Sequence, residues 1–171
     1  MCGIAGFLDL PGPELLKRQT LARMVSALAH RGPDGHGAVL KGRCGLAHTR
    51  LSIVDLAGGA QPMSDAEGKI WLTFNGEIFN YVELRNELIA RGFAFRTTSD
   101  TEVIIQLYRH MGPALLERLN GDFAFALWDE SQQTLMLARD RMGVRPLFYA
   151  ERDGMLAFAS ELPALLQTPG I

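Results

Sequence analysis

Two alternating runs in the last third of the chain, DFAFALWDE and TLMLARDR, are separated only by Ser131-Gln132-Gln133. Period-two alternation turns successive side chains to opposite faces of a strand. Three linking residues leave no room for a crossover, so the two runs must pair antiparallel. PLFYAERDGMLAFAS repeats the pattern with its turn at Asp153-Gly154, and GHGAVL with RCGLAHTRLSIV makes a third pair around Lys41-Gly42. Hairpins with a few helices between them predict an α+β class with largely antiparallel sheets, rather than a doubly wound parallel fold.

The remaining elements follow from local signals. The apolar run Ile4-Ala5-Gly6-Phe7-Leu8 reads as a strand entering the core, which would hold Cys2 in a fixed place. Pro13 opens PELLKRQTLARMVSALA, in which Leu16, Met24, Val25 and Leu28 fall near helical spacing. HRGPDGHG breaks that helix, and DLAGGAQPMSDAEG reads as a long loop of the kind that carries function. KIWLTFNGE is a strand ending on a turn, since Asn-Gly is the commonest hairpin turn pair. NYVELRNELIARG is a helix capped by Asn80 and stopped at Gly92. Ser99-Asp100-Thr101-Glu102 fits a capping box ahead of Val103, Ile104, Leu107 and Tyr108, and ELPALL closes the chain as a short helix.

Composition excludes several function classes. A length of 171 residues predicts one domain, and the net charge of −2 leaves no basic footprint for nucleic acid. No apolar stretch approaches the ~20 residues of a membrane helix, and the start lacks the basic and long apolar regions of a secretory signal. Two cysteines, Cys2 and Cys44, argue against a disulfide framework or a four-cysteine metal site. The expectation is a cytoplasmic, reduced protein in which Cys2 stays a free thiol.

Polar clusters stand where strands or turns end, and each has a plain structural reading. Arg50 could be a surface charge, Asn75-Gly76-Glu77 a turn, Asp100 a helix-capping carboxylate, and Arg139-Asp140-Arg141 an ion-pair cluster. Cys44 reads as a small buried hydrophobe, and Met24, Met63 and Met111 as packing residues. His48 could pair with Cys2, but neither sits in a matching local signature. His30, His36 and His110 lack metal-ligand spacing, so no metal is expected, and GPDGHG matches no phosphate loop.

In order along the chain, MCGIAG, HRGPDG, HTRLSIVDLAGGAQPM, FNGEIFNY, SDTEVI, GDFAFALWD, ARDRMGVRPLFY and FASEL resemble the glutaminase half of the asparagine synthetase family. That half is a class II glutamine amidotransferase, one of the N-terminal-nucleophile hydrolases. The resemblance runs from Met1 to about Leu166. Other class II enzymes, such as glucosamine-6-phosphate synthase, share the leading cysteine and the Asn-Gly, but RLSIVD, NGEIFNY and ARDRMGVRPL are similar to the asparagine synthetase branch. The fold it implies is an αββα sandwich of two antiparallel sheets between helical layers.

The resemblance also implies roles. Met1 would be removed, so that Cys2 supplies the nucleophilic thiol and, through its α-amine, the base. A free α-amine has a pKa of about 7.7–8.0 and a thiol one near 8.5, so both suit neutral pH. The thiol would attack the side-chain amide of glutamine, expel ammonia and leave a glutamyl thioester for water to hydrolyse. The Asn75 amide and the Gly76 N–H would hold the oxyanion. Arg50 would clamp the α-carboxylate, Asp100 with Glu77 would accept from the α-ammonium, and Ile53 would line the pocket through backbone contacts. The loop over 56–63 would border the site, and Gly3 would leave the terminus uncrowded.

L-Glutamine is thus the expected small-molecule partner, with no cofactor for its hydrolysis. ATP and Mg are expected only for a synthetase domain, whose Ser-Gly-Gly-x-Asp-Ser pyrophosphate loop occurs nowhere in this sequence. The expectation is a type-2 amidotransferase domain over 1–171, cut short at its C-terminal end. It would work with a synthetase domain or partner chain and bind neither nucleic acid nor membrane. An edge or apolar patch left uncovered would favour association, a homodimer included. Two alternatives stay open: transfer of the nitrogen to another acceptor, and a catalytically silent glutamine-binding scaffold.

Overall fold

The computed structural model describes residues 1–51 and 58–171. Among the described residues nine strands form two wholly antiparallel sheets. The first contains β1 (Gly3–Leu8), β2 (Gly35–Lys41), β3 (Cys44–Arg50), β8 (Phe148–Arg152) and β9 (Met155–Ala159), in the order β2-β3-β1-β9-β8. The second orders β4 (Met63–Ser64), β5 (Ile70–Ile78), β6 (Gly121–Asp129) and β7 (Thr134–Arg139) in sequence. The helices are α1 (Glu14–Ala27), α2 (Tyr81–Ala90), α3 (Asp100–Met111) and α4 (Leu162–Leu165).

The apolar residues divide into layers. Leu21, Met24 and Leu28 from α1 and its end, with Ala164 and Leu165 of α4, pack on Phe7, Ala47, Ala157 and Ala159 of the first sheet. Cys44, Leu46 and Phe158 meet Ala126 and Trp128 between the sheets. Leu84 and Leu88 of α2, with Val103, Ile104 and Leu107 of α3, cover Leu72, Phe74, Phe125 and Leu127 on the far side. The result is the αββα sandwich that the resemblance implied. β1 lies inside its sheet and is buried on both faces, so it shows an apolar run rather than alternation. Gly6 completes the fit: a Cβ there would stand 2.5 Å from the Phe158 ring. Phe158 is fully buried, and its truncation to Ala would cost about 3–5 kcal/mol.

The hairpins at 131–133 and 153–154 form where expected, the latter with both turn residues at positive φ. Four local readings need correction. The turn between β2 and β3 centres on Gly42-Arg43, one residue later than expected. The loop after the third strand contains β4, which pairs with β5. Asn75-Gly76 is not a turn but lies within β5, where a Gly76 Cβ would meet the Asp122 carbonyl at 2.1 Å. The capping box is half formed. Ser99 accepts from the Thr101 N–H at 3.2 Å, but Glu102 turns to the N–H groups of Arg96 and Thr97. No helix among the described residues is long and apolar enough to cross a membrane.

Candidate active site

A cavity of about 70 Å³ opens where the N-terminus, the end of β3, β5 and the start of α3 converge. Cys2, Arg50, Asn75, Gly76, Glu77 and Asp100 all line it, together with Met1, Gln61, Thr101 and Arg145. Residues remote in sequence, each ordinary on its own, therefore share one site. Ile53 and part of the 56–63 loop lie outside the described residues.

Strand β1 places Cys2. Pairing of Gly3 with Thr49 brings the terminus beside the end of β3, where the Leu51 N–H donates to Cys2 Sγ at 3.4 Å. Arg31 donates from Nε to the Cys2 carbonyl at 2.9 Å and is itself paired with Glu161 at 2.8 Å. That pairing with Arg31 holds the Glu161 carboxyl below the usual range; burial opposes it and His30 reinforces it. Ser160 exchanges two bonds with the Ile4 backbone, which fastens β1 to the end of β9. Gly3 serves packing rather than access to the terminus. A Cβ there would lie 2.6 Å from Thr49 Oγ1 and 3.1 Å from Leu28.

Strand β5 places the amides. In an antiparallel strand the N–H and C=O of one residue point to the same edge, and alternate residues share an edge. On the edge facing β4, the Ile70 carbonyl accepts from the Asp65 N–H, and the Phe74 N–H donates to Gln61 Oε1 at 2.7 Å. The Phe74 carbonyl accepts from His48 Nε2 at 3.1 Å, and the Ile78 N–H donates to Asp100 Oδ2 at 3.1 Å. By that alternation the Gly76 N–H points to the same edge, between Gln61 and Asp100. The Asn75 side chain is buried, and its Nδ2 has no hydrogen-bond partner among the described residues. A buried amide donor without a partner is costly to keep, and this one stands on the wall of the cavity.

Asp100 is the first residue of α3 and 4% exposed. Burial pushes its carboxyl up, and nearby Glu77 adds to that, against the N–H groups of Ile78 and Thr101. Arg50 stands at the end of β3, and the HRGPDG turn supports it from beneath. A Gly32 Cβ would lie 2.3 Å from the Arg50 nitrogen, and the Asp34 N–H donates to the Arg50 carbonyl at 3.0 Å.

Several supporting residues lie in the blocks of resemblance but had no role assigned from the sequence. Arg31, Glu161, Gln61 and Arg145 act across long sequence separations, so only the assembled fold brings them to the site. The Arg139-Asp140-Arg141 stretch is not an ion-pair cluster. The Asp140 carboxylate accepts from the backbone N–H groups of Phe123, Met142, Val144 and Arg145. Burial raises its pKa, but those four bonds outweigh it and hold the carboxyl below the usual range. They also fix the turn that carries Arg145 to the cavity, where its guanidinium meets the Met1 sulfur. His48 bonds the Phe74 carbonyl, and burial lowers its pKa to about 4. Cys44 is buried between the sheets, and burial pushes its thiol well up. Among the described residues no group of three or more His, Cys, Asp or Glu is placed to hold a metal.

Two antiparallel sheets packed between helical layers form an N-terminal-nucleophile hydrolase fold, the one that solved amidotransferases share. The chain belongs to the glutamine amidotransferase domain family, whose model matches residues 1–171. It is 42% identical over 173 residues to asparagine synthetase [glutamine-hydrolyzing] 3 of Bacillus subtilis, covering 100% of this chain and 28% of that protein. It is 40% identical over 177 residues to the amidase chyE of Penicillium rubens, covering 97% of this chain and 26% of that protein. Among solved structures, the glutamine phosphoribosylpyrophosphate amidotransferase of B. subtilis superposes with a TM-score of 0.80 at 25% identity, over 98% of this chain and 43% of that one. The chain thus spans between about a quarter and a third of the length of these curated relatives.

Proposed function

We propose that this domain hydrolyses L-glutamine to glutamate and ammonia through a thioester on Cys2. Removal of Met1, which lines the cavity over Cys2, would expose the Cys2 α-amine beside its own thiol. The amine takes the thiol proton, and Sγ attacks the glutamine side-chain carbonyl carbon. The new C–S bond drives charge onto oxygen, which the Asn75 Nδ2 and the Gly76 N–H receive. Collapse breaks the C–N bond, and the protonated amine returns its proton to the leaving nitrogen, releasing ammonia. Water then gives a proton to the amine and attacks the thioester, so that glutamate leaves and the thiol is restored.

Substrate is held by its ends. Arg50 receives the α-carboxylate through its planar fork, and Asp100 with the exposed Glu77 at the rim receives the α-ammonium. Ile53 would contribute backbone contacts. A buried Asp100 suits this task, because a cation entering the cavity relieves its unfavourable charge. The observation that carries the reading is the unpartnered, buried Asn75 Nδ2 on the wall of the cavity that also holds Cys2.

The ammonia serves an ATP-dependent amidation carried by a synthetase domain or partner chain, with aspartate as the acceptor. The relatives named asparagine synthetases support that assignment. ATP and Mg belong to that partner and not to glutamine hydrolysis, and the 1–171 domain forms no asparagine by itself. Exposed Met142, Val144, Phe148 and Tyr149 supply apolar surface for such a partner to cover. The likeness to the amidase chyE supports a second reading, in which the same ammonia goes to another acceptor.

The test is incubation of the purified chain with glutamine, aspartate, ATP and Mg²⁺. Glutamate and ammonia are expected, without AMP or asparagine. Stoichiometric AMP would refute the reading, and so would absence of glutamate release from the Met1-free protein.

A further inference from the structure

Strand β4 is only two residues long, and its pairing with β5 stops at Met63 opposite Leu72. The next outward-facing peptide group on that edge of β5 belongs to Phe74, immediately before Asn75. It lies beyond the reach of the β4 backbone, and side chains complete the ladder instead. Gln61 Oε1 takes the Phe74 N–H at 2.7 Å, and His48 Nε2 donates to the Phe74 carbonyl at 3.1 Å. The orientation of the Gln61 amide follows from its partners. A backbone N–H can only donate, so Oε1 must face Phe74, which leaves Nε2 toward Thr101 Oγ1 at 3.4 Å. The Gln61 backbone is seated as well: it passes so close to β2 that a Cβ on Gly37 would lie 2.2 Å from the Gln61 carbonyl oxygen.

We propose that Gln61 is a positioning residue for the oxyanion site, holding the Phe74 backbone N–H so that the Asn75 amide and the Gly76 N–H converge on the same point. Gln61 need not touch the reacting atoms to do this. The two donors are only as well aimed as the strand that carries them, and at Phe74 the β4 ladder has already ended, leaving β6 as its paired strand among the described residues. An error of about 1 Å in such donors costs on the order of 10²-fold in rate. His48 holds the carbonyl of the same residue, in the peptide group that leads to Asn75, which gives a use to the histidine that the sequence offered only as a partner for Cys2. This inference rests on the glutaminase reading and adds a residue to it.

The experiment compares Gln61→Met, which keeps the length of the side chain but removes the strong acceptor, in the wild-type and Asn75→Ala backgrounds. In the wild-type background kcat for glutamine should fall by about 10–10²-fold, with KM within about threefold because Arg50 and Asp100 keep their places. In the Asn75→Ala background, where one of the two donors that Gln61 aims is gone and only the Gly76 N–H remains, the same substitution should cost several-fold less than it does in the wild type. A merely structural role would give equal losses in both. Gln61→Asn, one methylene short of Phe74, provides a second variant and should lower kcat in the same direction if Gln61→Met does not fold. Wild-type kcat in a folded Gln61 variant, or equal losses in the two backgrounds, would overturn the proposal. An unmutated protein that releases no ammonia from glutamine would instead overturn the glutaminase reading.

Discussion

Asn75→Ala should separate activity from stability, with the two moving independently. The wild-type side chain is 1% exposed and carries an Nδ2 with no partner, so the folded protein bears the cost of a desolvated donor. Such a group costs about 1–3 kcal/mol, and truncation removes that burden while giving up some buried contacts. The net change should lie between zero and about 1 kcal/mol of stabilisation. For a chain of 171 residues that leaves Tm unchanged or raises it by about 2–4 °C. Loss of one oxyanion donor, in contrast, should lower kcat by about 10²–10³, equivalent to about 2.7–4 kcal/mol of transition-state stabilisation. Thermal melts followed by circular dichroism and ammonia release from glutamine read the two quantities. A fall in Tm of more than about 4 °C would mean that the Asn75 amide holds the fold together. A kcat within about threefold of wild type would mean that it does not meet the oxyanion.

Further outcomes follow from the same geometry. Arg50→Ala should raise KM for glutamine with a smaller effect on kcat, and an Asn75-like pattern of pure kcat loss would invert the role assignment. Asp100→Asn should also raise KM, and in the wild type glutamine binding should weaken on acidification earlier than for an ordinary aspartate, because burial raises that carboxyl. His48 is neutral in the folded protein, with a pKa lowered to about 4 by burial, against about 6.5 unfolded. The unfolded state therefore binds more protons between those values, so stability falls as pH drops from about 6.5 and the loss levels off below about 4, at roughly 3 kcal/mol. Denaturant titrations at several pH values should show that slope reduced in His48→Gln, and an unchanged slope would assign it to other groups. Protein retaining Met1 should be inert, and an active Met1-bearing species by intact mass would contradict the N-terminal amine as base.

The hairpins were legible because their information is local: the alternation and the turn residues sit within a few positions of each other. The same local reasoning failed at Asn75-Gly76. Its turn propensity is overridden by pairing with β6, and the need for glycine comes from the Asp122 carbonyl on the neighbouring strand. Cys2, Arg50 and Asp100 were found through ordered blocks of resemblance, since each alone has an ordinary structural explanation. Arg31, Glu161 and Gln61 lie inside blocks of resemblance but were given no role, because their bonds span separations of 29, 130 and 13 residues and only the fold pairs them. HRGPDG read as a helix breaker and as one block of the resemblance, with no role for its residues. Folded, its Arg31 grips the Cys2 carbonyl and its Gly32 lets the end of β3 pass close by.

The central claim, a thioester on a processed N-terminal cysteine, is tested most directly by acid-quenching the Met1-free protein during turnover of glutamine and measuring its intact mass. A fraction carrying one glutamyl group on Cys2, absent from Cys2→Ala together with all ammonia release, is the predicted result. Cys2→Ala protein that releases ammonia at the wild-type rate would contradict the account.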